Sequence, residues 1–278
     1  MALHRRFFSL LVLAPAVWLC AEAVAAESLG CETPIRLAFY RNPLVYHDGG
    51  GIDQDVVAEL ARRTGCQFEL SVMPRAEIWK ALESGELDMA TSGISTPERR
   101  AIAYFIPYLY LRNKLILPDY LGDELKSLED FHDMPGARIG VIAGYRHGAY
   151  IDTLLRMLRS EGRVREYSDD TARFSALLHG EVEAVIGHEM NLRSAVIDRQ
   201  QRSHFRVIDV MPGPAIGLGL VLGRKHFTPA QSAQWQREID AMWIDGGLLK
   251  IMSQNAPQPL AAEFLDSGYR LGSTDKGW

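Results

Sequence analysis

Apolar residues recur along the chain in two alternating patterns. Short apolar runs at 35–39 (IRLAF), 67–72 and 138–142 predict β-strands. Between the first two runs, apolar residues fall at helical spacing over 53–64, and the helix-terminating Gly65 follows. Strands that alternate with helices in this way predict an α/β fold.

The N-terminal segment has a different pattern. Arg5 and Arg6 precede an apolar run from 7 to 19, and small residues follow at 23–26. This layout is typical of a secretory signal peptide, so we expect removal of residues 1–26 and a periplasmic mature protein. A lipid anchor at Cys20 is an alternative, although the preceding leucine is bulky where such sites carry a small residue. No later stretch is apolar enough to predict a transmembrane helix.

The remaining chain, about 250 residues long, exceeds what one core usually supports. We predict two lobes, with lobe 1 formed by 27–112 and 217–278 and lobe 2 by 113–216. A strand over 110–117 would leave lobe 1, and a second crossing near 215–222 would return to it, so that the two crossings form a hinge. The formal net charge is −5, so the chain lacks the excess of basic residues that is typical of nucleic-acid-binding proteins.

The strongest candidate for binding chemistry lies within 78–108. A predicted strand there ends in small residues at 90–95, and the segment 96–99 (TPER) is typical of a helix start with an N-cap and a first-turn proline. Small residues let backbone N–H groups approach a ligand, and a guanidinium can hold a carboxylate through two parallel hydrogen bonds. We therefore expect Arg99 to bind an anion; the alternative is an ordinary solvated helix-start arginine. The backbone expected to support it belongs to Ser92, Gly93 and Ile94.

These motifs also carry a family resemblance. The Gly-x-x-Asp, Thr-Pro-Glu-Arg and Phe-x-Pro-Tyr motifs within 85–108 resemble the extracellular solute-binding proteins of the polar amino acid type, family 3. These are the periplasmic components of bacterial ABC importers. Similar segments occur at 51–56, 126–144, 176–188 and 235–251, so the resemblance covers nearly all of the mature chain. It implies a two-lobed, type II periplasmic binding protein fold with two hinge crossings and a mainly parallel, helix-flanked sheet in each lobe. It also implies that Arg99 holds the ligand's α-carboxylate.

Two positions depart from the family pattern, and both fall in the second lobe. Arg146 stands where many amino acid binders carry a small hydroxyl residue. His188 stands where the family's aspartate pairs with the ligand's α-ammonium. At neutral pH a histidine is a poor substitute for a fixed negative charge. We expect both residues to contact the ligand, which would then be a small carboxylate without an α-ammonium group. The alternative for His188 is a structural role at a strand end.

Two more first-lobe residues are candidate ligand contacts. Tyr40 follows the first strand, where an aromatic residue often covers the ligand in the family, and such loops form sites at the carboxyl ends of open sheets. Arg75 follows the second strand, at the same predicted sheet end as Arg99. The alternatives are a simply packed tyrosine and an exposed arginine.

Two cysteines remain after removal of the signal peptide. Cys31 and Cys66 each precede a predicted strand, and the starts of successive parallel strands can be neighbours. Export to an oxidising compartment favours a disulfide between them over two separate thiols.

Together these features predict a periplasmic protein that closes two lobes on a small carboxylate-bearing ligand for an ABC permease. We expect a monomer without cofactor, metal, catalytic residues or nucleic acid partner. One alternative is a periplasmic enzyme on the same fold, similar to dehydratases, with His188 and Glu189, or His147, as the acid–base group. Neither a G-x-S-x-G motif nor a zinc-binding histidine pair supports that alternative. Another is an accessory binding protein of a periplasmic redox enzyme.

Overall fold

The computed structural model describes residues 28–196, 198–258, 260–266, 268 and 271. The predicted signal peptide at 1–26, including Cys20, lies outside these residues. Among the helices that are described, none is both long enough and apolar enough to cross a membrane.

The first of two five-stranded sheets has the strand order β2-β1-β3-β10-β4. Strands β1 to β4 point in the same direction and only β10 is reversed, which places the carboxyl ends of four strands at one edge. Its elements are β1 (Ile35–Phe39), α1 (Ile52–Thr64), β2 (Phe68–Val72), α2 (Arg75–Ser84), β3 (Met89–Gly93), α3 (Pro97–Arg100) and β4 (Ala103–Leu111).

The second sheet has the order β7-β6-β8-β5-β9, and here only β5 is reversed. A short 3-10 helix, Asp119–Leu121, follows β5. The elements are β5 (Lys114–Pro118), α4 (Leu128–His132), β6 (Ile139–Ile142), α5 (Ala149–Ser160), β7 (Val164–Tyr167), α6 (Asp170–Leu178), β8 (Ala184–Gly187), α7 (Glu189–Ala195), α8 (Arg199–Arg202) and β9 (Phe205–Asp209).

The chain then returns to the first sheet through β10 (Ile216–Gly223) and continues in α9 (Pro229–Ile244), α10 (Gly247–Asn255) and α11 (Leu260–Asp266). Two helix-flanked sheets, each with four strands in one direction, confirm the predicted two-lobed α/β fold. The lobe boundaries stay a prediction, and β10 begins one residue before the predicted return to lobe 1.

Local sequence signals explain why these elements begin and end where they do. Helix α1 ends at Gly65 and α2 ends at Gly85, and both glycines adopt the left-handed conformation that favours glycine at a helix C-terminus. Helix α3 begins as predicted, because the Thr96 side chain accepts a hydrogen bond from the Arg99 backbone N–H and Pro97 occupies the first turn. This cap fixes the backbone that carries Arg99.

The first crossing between the sheets differs from its prediction. The apolar alternation over 110–117 predicted one continuous strand, whereas β4 ends at Leu111 and β5 begins at Lys114. Between them, Arg112 donates hydrogen bonds to the Asp209 carboxylate and to the carbonyls of Met211 and Gly213. Asp209 ends β9, and Met211 and Gly213 lie between β9 and β10. Arg112 therefore ties the first crossing to the segment through which the chain returns to the first sheet, which begins before the predicted second crossing near 215–222.

The second sheet is buried on both faces, as the alternation of side chains along a strand requires. Leu115 and Leu117 belong to one apolar cluster, and Ile116, between them, belongs to another. A sheet packed on both faces leaves its strand ends and loops for ligand contact.

A disulfide joins Cys31 to Cys66, with the two Cα atoms 5.6 Å apart. The parallel pairing of β1 with β2 places Ile35 opposite Phe68, so the segments preceding both strands are neighbours. The bond therefore connects the beginnings of two adjacent strands, at the end of the sheet opposite the carboxyl-end loops.

Candidate ligand-binding site

Loops from the two sheets meet at the carboxyl ends of their strands. Asn42, which follows β1, donates from Nδ2 to Oδ2 of Asp170 on α6 at 2.8 Å. Gly144, which follows β6, accepts a hydrogen bond from Arg99 Nη2 at 2.7 Å. These two contacts close a cleft between the lobes, and the predicted site residues lie around it.

Arg99 contacts both sides of the cleft. Its Nη1 donates to the Ile94 carbonyl at 3.1 Å, whereas its Nη2 reaches Gly144 on the second lobe. The guanidinium carbon lies 3.7 Å from the centroid of the Trp79 ring, which is a cation–π geometry. The Trp79 ring and the Ile94 carbonyl hold the guanidinium at the lobe interface.

The electrostatic surroundings of Arg99 favour an anion. Burial, followed by the positive charges of Arg75 and Arg146, lowers the pKa of the Arg99 guanidinium to about 8. The group therefore remains mostly protonated at pH 7, in a position that disfavours its charge. A negative ligand group beside it would offset both the burial and the repulsion.

Arg75 is committed to the protein backbone. It is 4% exposed, and its two terminal nitrogens donate to the carbonyls of Thr91 and Ser92 on β3 at 3.0 and 3.2 Å. Its guanidinium carbon lies 3.5 Å from the centroid of the Tyr40 ring, which is also buried. The alternative interpretation of Arg75, as an exposed arginine at a helix start, is therefore wrong. Whether Arg75 and Tyr40 contact a ligand stays a prediction.

The small residues at the end of β3 are constrained by their neighbours. Ser92 has φ +49°, and its hydroxyl donates to Asp53 Oδ1 at 2.7 Å, so its own contribution to a ligand would come from the backbone. Tyr108 also donates to this oxygen, and burial raises the pKa of the Asp53 carboxyl. At Gly93, a Cβ would lie 2.1 Å from the Val221 side chain, so no larger residue fits without movement.

The second-lobe turn after β6 lies against the first lobe. Gly144 has φ +78°, and a Cβ there would lie 2.9 Å from the backbone of Ala76 on α2. Only glycine permits this close approach of the lobes. The next side chain, Tyr145, meets the Tyr40 ring edge-on at 5.4 Å between centroids. Arg146 is exposed and donates to the Tyr145 carbonyl at 3.1 Å.

His188 has a structural role in this arrangement. It is the N-cap of α7, where its ring Nδ1 accepts from the Met190 backbone N–H at 3.3 Å and its backbone N–H donates to Asn191 Oδ1. Burial, followed by the charge of Lys114, lowers the pKa of His188 to about 4. The imidazole is therefore neutral at pH 7. It supplies no negative charge for a ligand ammonium, and its contact with a ligand stays a prediction.

Several cavities lie in the cleft, and one of about 190 Å³ lies between the first-lobe residues 72–75 and the second-lobe residues 168–169. The cavity beside Arg99 measures about 30 Å³, and the one beside His188 measures about 70 Å³; we call these the inner cavities. An outer cavity of about 630 Å³ lies between α3 and the start of α5. All eight predicted contact residues line one or both inner cavities: Tyr40, Arg75, Ser92, Gly93, Ile94, Arg99, Arg146 and His188.

Several residues at the site carried too little sequence signal to be chosen as ligand contacts. Trp79 lies one turn into α2, and only the fold places it under Arg99. Tyr145 precedes the noted Arg146, but its position against Tyr40 depends on how the lobes meet. In the part of the chain that is described, no group of three His, Cys, Asp or Glu side chains could hold a metal ion.

The whole two-lobed region corresponds to one known family. Residues 35–254 match the model of the bacterial extracellular solute-binding proteins, family 3. The chain belongs to this family. The match includes both sheets, both crossings and every predicted ligand contact of this solute-binding protein.

Individual relatives are more distant. The arginine-binding extracellular protein ArtP of Bacillus subtilis is 27% identical over 106 residues, which are 37% of this chain and 40% of ArtP. This solute-binding protein therefore aligns with less than half of that relative's length.

Solved structures resemble it over most of the chain. The arginine-, lysine-, histidine-binding protein ArtJ of Geobacillus stearothermophilus has a TM-score of 0.66 at 19% identity, covering 80% of this chain and 95% of ArtJ. The ancestral amino acid-binding protein AncCDT-1, a precursor of cyclohexadienyl dehydratase, has a TM-score of 0.64 at 19% identity, with the same two coverages. At these identities the likeness establishes the fold, and it confirms the predicted type II periplasmic binding protein architecture.

Proposed function

We propose that this solute-binding protein captures a small carboxylate-bearing ligand, an amino acid or a related organic acid, between its lobes in the periplasm. As a monomer, it would present the closed complex to an ABC permease. The observation that carries the proposal is Arg99, a protonated guanidinium held at the lobe interface by Trp79 and the Ile94 carbonyl.

The cleft suggests how a ligand would be coupled to closure. In the closed arrangement, Arg99 donates to the Gly144 carbonyl across the cleft. A ligand carboxylate would take over this acceptor role and add the charge that a neutral carbonyl lacks. Because the ligand would touch both lobes only in the closed form, its differential affinity would shift the hinge towards closure.

The charges around the inner cavities favour an organic acid over a cationic amino acid. Five arginines line them: Arg75, Arg99, Arg112, Arg146 and Arg173. Of these, Arg112 is paired with Asp209 and Arg173 is paired with Asp170. No Asp or Glu from the described residues lines either one. The nearby Asp170 carboxylate is already bonded to Arg173, Asn42 and Asn191. Within the proposed ligand class, we therefore favour an organic acid without an α-ammonium group over an amino acid.

Calorimetric titration of the mature protein with amino acids, monocarboxylates and dicarboxylates tests this proposal, after a thermal-shift screen for candidates. A ligand that binds only the folded state raises the melting temperature. We expect Arg99→Ala to weaken binding of the identified ligand by about a hundredfold, since hydrogen bonds to charged groups contribute about 1.5–3 kcal/mol each. The matched control is Arg62→Ala, which removes an exposed arginine on α1 far from the cleft.

Unchanged affinity in Arg99→Ala would contradict the assignment of Arg99. His188→Asp introduces the missing carboxylate, and we expect it to increase the affinity for α-amino acids relative to organic acids. A ligand that is recovered chemically converted would instead favour the dehydratase-like alternative.

A further inference from the structure

Tyr145 lies where the inner cavities and the outer cavity meet. It lines both inner cavities and the outer cavity. Its ring lies edge-on to Tyr40, 5.4 Å away, and the Arg75 guanidinium carbon is 5.9 Å from its centroid. The residue is partly buried, and burial raises the pKa of its phenol well above the usual value of 10.

From this position we infer that Tyr145 is the residue that determines ligand size in the cleft. Its ring occupies space beside Arg99 when the lobes are closed without ligand, and a ligand of amino acid size enters that space only by displacing the ring. This inference rests on the proposed function, because it concerns the same site.

The inner cavities are smaller than ordinary ligand pockets, whereas the outer cavity, at about 630 Å³, falls within the usual range. Ligand pockets usually measure about 300–1,000 Å³, and a single water needs about 10–15 Å³. The cavity beside Arg99, about 30 Å³, therefore has room for about two water molecules. The cavity beside His188 is also far below the usual range, at about 70 Å³. A larger ligand that reaches Arg99 in this arrangement must displace lining side chains, and the aromatic ones are Tyr40, Trp79 and Tyr145. Of these three, Tyr145 also lines the outer cavity.

The turn that carries Tyr145 also engages Arg99. Gly144, the preceding residue, accepts the Arg99 hydrogen bond at 2.7 Å and lies against the backbone of Ala76. The Gly144 carbonyl and the Tyr145 ring therefore enter the cleft together. A ligand in this part of the cleft meets both groups, so the turn 144–145 competes with the ligand for the first lobe.

A ligand that competes with this turn loses part of its binding free energy, and the loss disappears when the ring is removed. Tyr145→Ser removes the ring and keeps a hydroxyl, whereas Tyr145→Phe keeps the ring and removes only the hydroxyl. The two variants separate ring size from hydrogen bonding. A residue that merely stabilised the fold would not change which ligands bind.

The experiment is calorimetric titration of the wild type and both variants with L-histidine, L-glutamate and succinate, after urea unfolding has shown that each variant is folded. We expect Tyr145→Ser to bind at least one of these probes at least tenfold more tightly than the wild type. Tyr145→Phe should remain within about twofold of the wild type. Equal affinities in all three proteins, or a gain of similar size in Tyr145→Phe, would overturn the inference.

A second measurement separates this inference from the proposed function. Small-angle scattering without ligand should give Tyr145→Ser a larger radius of gyration than the wild type and Tyr145→Phe, because the ring contributes to lobe closure. Absence of binding by all three proteins to a broad carboxylate panel would overturn the proposed function. An unchanged radius of gyration in Tyr145→Ser would overturn the competition of Tyr145 for the first lobe.

Discussion

His188 should make the protein less stable as the pH falls below about 6.5. The residue is 8% exposed, and its Nδ1 accepts the Met190 backbone N–H. Burial lowers its pKa from 6.5 to about 4, whereas the unfolded chain titrates near 6.5. Between these values the unfolded state binds a proton that the folded state does not. The free energy of unfolding therefore decreases as the pH falls.

The size of this effect follows from the two pKa values. One pKa unit corresponds to about 1.4 kcal/mol. The shift of His188 therefore lowers the free energy of unfolding by about 3 kcal/mol below pH 4 and by about 2 kcal/mol at pH 5. Glu59 and Asp209 both have pKa values of about 2, and their stabilising contributions are lost only as the pH falls from about 4 towards 2. A comparison between pH 7 and pH 5 therefore leaves the contributions of Glu59 and Asp209 to stability nearly unchanged. Burial also lowers the pKa of His147, so a variant is needed to isolate His188.

The assay is urea unfolding at pH 7 and pH 5 for the wild type and His188→Asn. Asparagine is a favourable N-cap that does not titrate, so this variant keeps a cap on α7. We expect the wild type to lose about 2 kcal/mol more than His188→Asn between these pH values. The control His204→Asn, which replaces a histidine whose side chain is 68% exposed, should behave like the wild type. Identical pH dependence in the wild type and His188→Asn would refute the reasoning.

Two further predictions concern the first sheet. Replacing Cys31 and Cys66 with alanine should lower the free energy of unfolding by about 4 kcal/mol, because the disulfide closes a loop with a sequence separation of 35. Urea unfolding with and without reductant checks this: the wild type should be sensitive to reductant and the double variant insensitive, and an insensitive wild type would argue against the bond. Gly219→Ala should destabilise the protein by about 2 kcal/mol or more, since a Cβ there would lie 1.8 Å from the Ile106 carbonyl oxygen. Gly213→Ala, with nothing within 4 Å of its Cβ, is the matched control, and equal effects in urea unfolding would show that the close approach is unimportant.

The local elements around Arg99 were predictable because their signals lie within a few residues. The Thr-Pro pair at the start of α3 caps the helix without help from distant parts of the chain. Gly65 and Gly85 end α1 and α2 for the same kind of local reason. Where an element depends on a distant partner, prediction was weaker. Strand β9 pairs only with β5 at a sheet edge, and its partly exposed residues carry no strong apolar pattern.

The sequence alone also determined which residue types are available at the site. It identified Arg99 on a helix start, Arg146 after a glycine turn, and a histidine where the family carries an aspartate. Those identities establish that the fixed negative charge at position 188 is missing.

Only the tertiary structure decided how these groups are used. The sequence placed Arg75 at the same sheet end as Arg99, yet burial against Tyr40 commits it to the carbonyls of β3. His188 became a neutral helix cap because its burial disfavours the charged form. Tyr145 came to lie beside Arg99 because two loops distant in sequence meet when the lobes close. Side-chain type and local backbone preference are properties of short segments, whereas burial, charge environment and cavity size depend on contacts between segments far apart in the chain.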